Sequence, residues 1–259
     1  KYNSILEKIM FPIFFTIANF ELRASYVFLA LGILAGVLVG AKESRRLGFE
    51  AKQFRLYLLS AIPFALFIGA LNGFLFRFPF AVALERLESA LSYGLVSFGA
   101  IIGMFVLGYV IAKIQKLNVG LVLDTIAVIL PLVIGIYRIG CLLNGCCYGV
   151  ETDSFPGIVL PNDYGVWARR YPTQIWLMVF NLGLFAWLWS IRKKKSFNGI
   201  IAIYYLIAYS LGRLIIDSFR ELPLALGPLS LHQVMALTML LATSYAYLEI
   251  RLARRSMTE

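Results

Sequence analysis

Tyr137-Arg138-Ile139-Gly140-Cys141-Leu142-Leu143-Asn144-Gly145-Cys146-Cys147-Tyr148-Gly149 closes a long apolar run. It sets an arginine, an asparagine and all three cysteines of the chain where apolar side chains would cost least. A fixed cation beside hydrocarbon is expensive and characteristically faces a protein interior or a wet cavity. The guanidinium is a rigid fork of donors suited to carboxylate or phosphate. In a membrane whose lipids carry phosphate, this stretch points to a site for a phospholipid headgroup.

The composition around it is that of an integral membrane protein. Of 259 residues, 60% are hydrophobic and 15% charged, with a mean hydropathy of +0.80. These values predict an all-α polytopic chain, a single membrane domain over residues 1–259. Seven apolar segments of spanning length can be read, at 24–39, 56–76, 97–114, 121–139, 174–191, 200–216 and 231–250. A net charge of +10 would suit nucleic acid, but its distribution excludes that partner. Lys42, Arg45, Arg46, Lys52, Arg55, Lys113, Lys116, Arg192, Lys193, Lys194, Lys195, Arg251, Arg254 and Arg255 account for 14 of the 24 basic residues, all in alternate connections and the tail. The positive-inside rule then puts those connections and the C-terminus in the cytoplasm and the N-terminus outside.

Residues 1–23 read as an interfacial amphipathic segment: Phe11 to Ala18 is apolar, but Asn19, Glu21 and Arg23 follow without a small-residue cleavage pattern. The remaining non-helical sequence lies in the outward connections 77–96, 141–172 and 217–230. The first has Leu84, Leu87 and Leu91 at helical spacing, and the second is rich in turn formers such as Pro156, Asn162 and Gly165. Any site is therefore expected on the outer leaflet side. The three cysteines would lie there too, in an oxidising place in most bacteria. Adjacent Cys146 and Cys147 do not easily bond each other, so a bridge would join Cys141 to one of them; packed free thiols are the alternative. No cofactor is expected. No metal is expected either, because the only histidine, His232, is remote in sequence and there is no second cysteine pair.

Two further groups flank the outward connections. Arg213, Asp217 and Arg220 stand at i, i+4 and i+7 on one helical face. They form either a self-satisfied ladder or an anion site in which Asp217 aligns two arginines. Arg169-Arg170-Tyr171-Pro172-Thr173-Gln174-Ile175-Trp176 is a basic, aromatic helix entry. Aromatic residues are expected at that level from the interfacial belt alone, so only Gln174 is informative there.

In order and spacing these groups resemble the prolipoprotein diacylglyceryl transferase family, seven-helix enzymes of the bacterial inner membrane. Its signature Gly-Arg-x-Gly-Asn-x-x-Asn-x-Glu-x-x-Gly is matched by Arg138, Gly140, Asn144 and Gly149. Its His-Pro-x-Gln-x-Tyr-Glu segment is similar to the stretch from Tyr171 to Leu177, where Pro172 and Gln174 are kept. Its Gly-Arg-x-x-x-Glu-x-x-Arg segment resembles Gly212 to Arg220 with Asp217 in the acidic place, and its Leu-Ser-x-x-Gln resembles Leu229 to Gln233.

The chain departs from that pattern on one side. Phe98 stands at the position of the family's histidine, and Cys141 and Cys146 at those of its asparagine and glutamate. Ala70-Leu71-Asn72-Gly73 replaces a Gly-Arg-x-Gly context, and Arg23-Ala24-Ser25-Tyr26 a His-Trp-Tyr-Gly one. In the reaction the resemblance implies, a lipoprotein cysteine attacks the glycerol carbon of phosphatidylglycerol and glycerol phosphate departs. Arg138, Arg213 and Arg220 would clamp phosphate, with Asp217 holding the arginines. Asn144 and Gln174 would orient ester or headgroup oxygens, and Tyr26, Gly149 and Gln233 would complete the substrate site. His232 would serve either as a base or as a locally bonded helix-start residue. The expected partners are a phospholipid, the membrane, and a lipoprotein precursor or another acceptor. Transfer of a headgroup to a glycan or small alcohol, and phospholipid binding or translocation without chemistry, are the alternatives.

Overall fold

The computed structural model describes residues 13–17, 20–75, 97–162, 165–222 and 224–256. The described residues form seven helices: α1 (Ala24–Arg46), α2 (Ala51–Leu75), α3 (Ser97–Ile114), α4 (Val119–Leu143), α5 (Thr173–Ile191), α6 (Ile200–Asp217) and α7 (Leu231–Ser256). Each covers one of the apolar segments read from the sequence. Four of them, α1, α4, α5 and α6, are long and apolar enough to cross a membrane. The chain is a largely helical membrane protein.

Three antiparallel ribbons add to the helices: β1 (Ile13–Ile17) with β2 (Phe20–Arg23), β3 (Ile158–Pro161) with β4 (Trp167–Arg170), and β5 (Leu224–Leu226) with β6 (Leu229–Ser230). The first occupies the end of the segment expected to lie at the interface. The others lie in connections 141–172 and 217–230, where clustered turn formers predicted irregular chain. The expected surface helix around Leu87 falls in 77–96, outside the described residues.

Helix ends follow local chemistry. α1, α3 and α4 all end in Schellman turns, with Gly48, Lys116 and Gly145 in the left-handed conformation. Asn118 caps α4 by accepting from the Leu121 amide. At α7 the Ser230 hydroxyl accepts from the Gln233 amide while the Gln233 carboxamide oxygen accepts from the Ser230 amide, a capping box.

The described chain packs as two compact units. One comprises residues 37–130 and 192–202. There Glu43 receives Arg46 and Arg192, and the buried Asp124 accepts from Lys195 Nζ and from the Gly199 and Ala202 amides. That carboxylate satisfies the amide end of α6, where a helix favours negative charge. The other unit, residues 1–36, 131–191 and 203–259, holds every residue singled out above as a site candidate. In it Leu177, Leu184 and Leu188 bury one face of α5 together with Thr173, Gln174 and Asn181.

Candidate active site

Two cation-bearing elements build the site. On α4, Arg138 is buried one turn before the helix ends, and its Nη1 lies 3.7 Å from Cys141 Sγ. On α6, Tyr205, Tyr209, Arg213 and Asp217 recur every four residues, so one face of an apolar helix carries four buried polar groups. Asp217 Oδ1 lies 3.4 Å from Arg220 Nη1, and Oδ2 lies 2.9 Å from Arg213 Nη2 in ion-pair contact rather than as an aligned hydrogen bond. One carboxylate thus holds two arginines, a separate oxygen for each. Arg138 and Tyr209 are both close enough to Arg213 to act on its charge. His232, second residue of α7, is within reach of the charges of Arg213, Arg220 and Asp217.

The segment after α4 is fixed by its backbone. Gly145 supplies the left-handed turn (φ 70°), and the Cys146 amide returns to the Cys141 carbonyl. The Thr173 hydroxyl donates to the Cys147 carbonyl at 2.8 Å, and Gln174 Nε2 donates to the Cys146 carbonyl at 3.0 Å. Gly149 is sandwiched between two backbone segments: a Cβ there would sit 2.6 Å from the Tyr171 carbonyl oxygen and 2.7 Å from that of Phe219. Only glycine fits. Asn144 reaches across to α1, donating to the Ser25 hydroxyl at 2.8 Å.

The structure therefore assembles Arg138, Arg213, Asp217, Arg220 and His232 in one electrostatic neighbourhood. Other candidates take positions that sequence did not anticipate. Gln174 spends its amide group on the Cys146 carbonyl, leaving Oε1 without a hydrogen-bond partner among the described residues. Gln233 closes the capping box and also donates to Ser218 Oγ, so both ends of its carboxamide are engaged. Tyr26 stands 45% exposed on α1. Cys141, Cys146 and Cys147 are free thiols with all three sulfurs within 4.8 Å of one another; the bridge expected from Cys141 to a neighbour is not formed. Beyond the end of α4, hydrogen bonds from Cys141 and then Cys146 hold the Cys147 thiol well below the usual thiol range, with Arg220 and Arg138 adding to the effect against burial.

Sequence reading missed Arg170, leaving it within a basic, aromatic helix entry in which only Gln174 was taken as informative. It is almost fully buried, its guanidinium paired with Glu151 at 2.6 Å and Glu221 at 2.7 Å and stacked on Tyr148. It ties the connections 141–172 and 217–230 together beside the site. Ser25, the partner of Asn144, and the Tyr205–Tyr209 stripe were also overlooked. The stripe had a signal, since tyrosines four and eight residues before Arg213 share its face.

The family model for prolipoprotein diacylglyceryl transferase matches residues 12–248. The chain belongs to that family. A phosphatidylglycerol–prolipoprotein diacylglyceryl transferase of Clostridioides difficile is 28% identical over 224 residues, covering 86% of this chain and 88% of the relative. The second such transferase of Clostridium perfringens is 35% identical over 236 residues, covering 86% and 89%. That of Geobacter sulfurreducens is 25% identical over 239 residues, covering 89% and 91%. The chain is a membrane transferase, and the resemblance carried by the signature around Arg138 extends along most of its length.

Proposed function

We propose that this chain transfers the diacylglyceryl group of phosphatidylglycerol to the cysteine thiol of a lipoprotein precursor, at the outer leaflet of a bacterial cytoplasmic membrane. The observation that carries the reading is electrostatic: Arg213 and Arg220 share one carboxylate, Asp217, and the buried Arg138 lies close enough to Arg213 to act on its charge. These four side chains leave two positive charges in excess, in a low-dielectric setting where an anion is strongly favoured. A lipid phosphodiester fits that need.

The chemistry follows from the charge change. The acceptor sulfur forms a bond to the glycerol carbon as the carbon–oxygen bond to phosphate breaks, and the electron pair leaves with glycerol phosphate. The phosphate group passes from a singly charged diester toward a doubly charged monoester, so arginines around it bind the transition state better than the substrate. The thiol must lose its proton, and His232 is the group to take it. With Phe98 at the family's histidine position, no imidazole is supplied from that position. Asn144 Oδ1 and Gln174 Oε1, both without hydrogen-bond partners among the described residues, can accept from the glycerol headgroup hydroxyls.

Labelled phosphatidylglycerol, a lipobox peptide and the purified enzyme in detergent micelles test this. The expected products are a peptide with a thioether-linked diacylglyceryl group and glycerol phosphate, identified by mass spectrometry. Consumption of the lipid with an unmodified peptide would overturn the thiol acceptor. A lipid that binds without being consumed would overturn the transfer itself.

A further inference from the structure

We propose that Cys141, Cys146 and Cys147 form a three-sulfur site for a soft, thiophilic cation, Cu(I). Their sulfur atoms all lie within 4.8 Å of one another. A metal–sulfur bond of about 2.3 Å places three trigonal ligands about 4 Å apart. The observed spacing is thus within about 1 Å of a closed site, a distance that side-chain rotation covers.

The convergence is imposed by the backbone. Adjacent residues of an extended chain point to opposite sides, so neighbouring Cys146 and Cys147 would ordinarily diverge. Cys147 instead has φ 64°, a left-handed conformation that a non-glycine residue adopts at a cost. The Schellman return from the Cys146 amide to the Cys141 carbonyl brings the third sulfur in. Gln174 and Thr173 pin the carbonyls of Cys146 and Cys147 from the start of α5. Four separate backbone constraints therefore serve one sulfur cluster, which simple packing of three thiols does not require.

The donor set selects the ion. Thiolates favour Cu(I), Zn(II) and iron–sulfur clusters, and a Zn(II) site is almost always four-coordinate. Among the described residues no histidine or carboxylate joins the three sulfurs, which suits the trigonal coordination of Cu(I). Binding expels up to three thiol protons to solvent and leaves copper in its +1 state. Three thiolates and one Cu(I) carry a net negative charge, and Arg138 Nη1, 3.7 Å from Cys141 Sγ, is placed to offset it.

The test uses the full chain in detergent, reduced and anaerobic, titrated with Cu(I) against the chromogenic chelator bathocuproine disulfonate. One Cu(I) per chain is expected, with all three thiols protected from alkylation. Cys146→Ser, at a half-buried position, should weaken binding at least about 100-fold, the upper end of what losing an outer-shell partner alone costs at a metal site. Cys147→Ser should do the same, and the melting temperature of each variant reports its fold. Alkylation protection in the unaltered chain keeps the test decisive if a variant unfolds. Wild-type uptake no greater than that of the triple serine variant, undiminished uptake after a single substitution, or Zn(II) captured in preference to Cu(I) would each overturn the proposal. So would isolation of the protein with a disulfide within the cluster that withstands mild reductant.

Discussion

Arg138, Arg213 and Arg220 are useful only if they stay charged and aimed, and Asp217 serves the second requirement for two of them. On the proposed chemistry, replacing Arg138 with alanine would remove one donor set from the departing phosphate, and such donors are worth about 10²–10³-fold in rate. The expected result is a loss of that size in diacylglyceryl transfer, with the protein still eluting as a folded species in detergent. Asp217→Ala should behave differently. It leaves Arg213, 1% exposed in its side chain, without the carboxylate 2.9 Å away. Breaking a buried pair by deleting one partner costs about 3–5 kcal/mol. A clear drop in melting temperature is expected, larger than that of Arg138→Ala; equal melting temperatures would show that Asp217 does not stabilise Arg213. The i, i+4 spacing made Arg213 and Asp217 legible in the sequence, because helical periodicity puts them on one face. Arg220, expected on that face, instead lies past the end of α6, bridged to Gly149, and reaches Asp217 from a turn. The sulfur cluster was half legible. Proximity of the three cysteines in sequence was plain, but their convergence depends on a left-handed Cys147, and nothing in the residue type announces that.

The helices were readable because each is a long apolar run bounded by charge, and the bilayer demands that length. The ribbons were not. Strands of two to five residues have too little periodicity to detect, and they are held by contacts remote in sequence, such as Arg170 with Glu151 and Glu221. The Gly149 amide donates to the Tyr171 carbonyl and the Val150 amide to that of Phe219, so this backbone crossing fixes the outer connections. Gly149→Ala would force a Cβ to within 2.6 Å of a carbonyl oxygen. Overpacking of this kind costs about 1–3 kcal/mol, and a thermal melt should register it. Ser230→Ala should cost about 1 kcal/mol through loss of the α7 cap, a smaller shift in the same assay. A Gly149→Ala protein no less stable than Ser230→Ala would mean that the two carbonyls can move apart freely. The capping box also explains a Leu-Ser-x-x-Gln motif without a substrate: Ser230 and Gln233 stand at the cap and its third helical position, where this pair is most effective.

The basic residues determine how the chain sits in a membrane. Fourteen of 24 lie in alternate connections and the tail, and several are engaged there: Arg46 and Arg192 on Glu43, Lys195 on Asp124. Pairing lowers the net charge that these connections present, yet Lys193 and Lys194 remain exposed beside Ser196. Lysines and arginines close to the ends of apolar helices resist translocation, while acidic residues count for little in orientation. The carboxylates therefore do not cancel the bias, and we propose on that ground that the connection between α5 and α6 lies in the cytoplasm. That orientation would put the start of α5, the end of α6 and the cysteine-bearing end of α4 on the outer side, where the proposed acceptor thiol would be presented. Substituting Ser196→Cys in a chain whose three native cysteines are serine gives an exposed reporter on the inward connection. A membrane-impermeant maleimide should leave it unlabelled in intact cells and label it after the membrane is opened. Labelling in intact cells would reverse the orientation, and the arginine cluster would then face a compartment in which exported precursors do not display the acceptor.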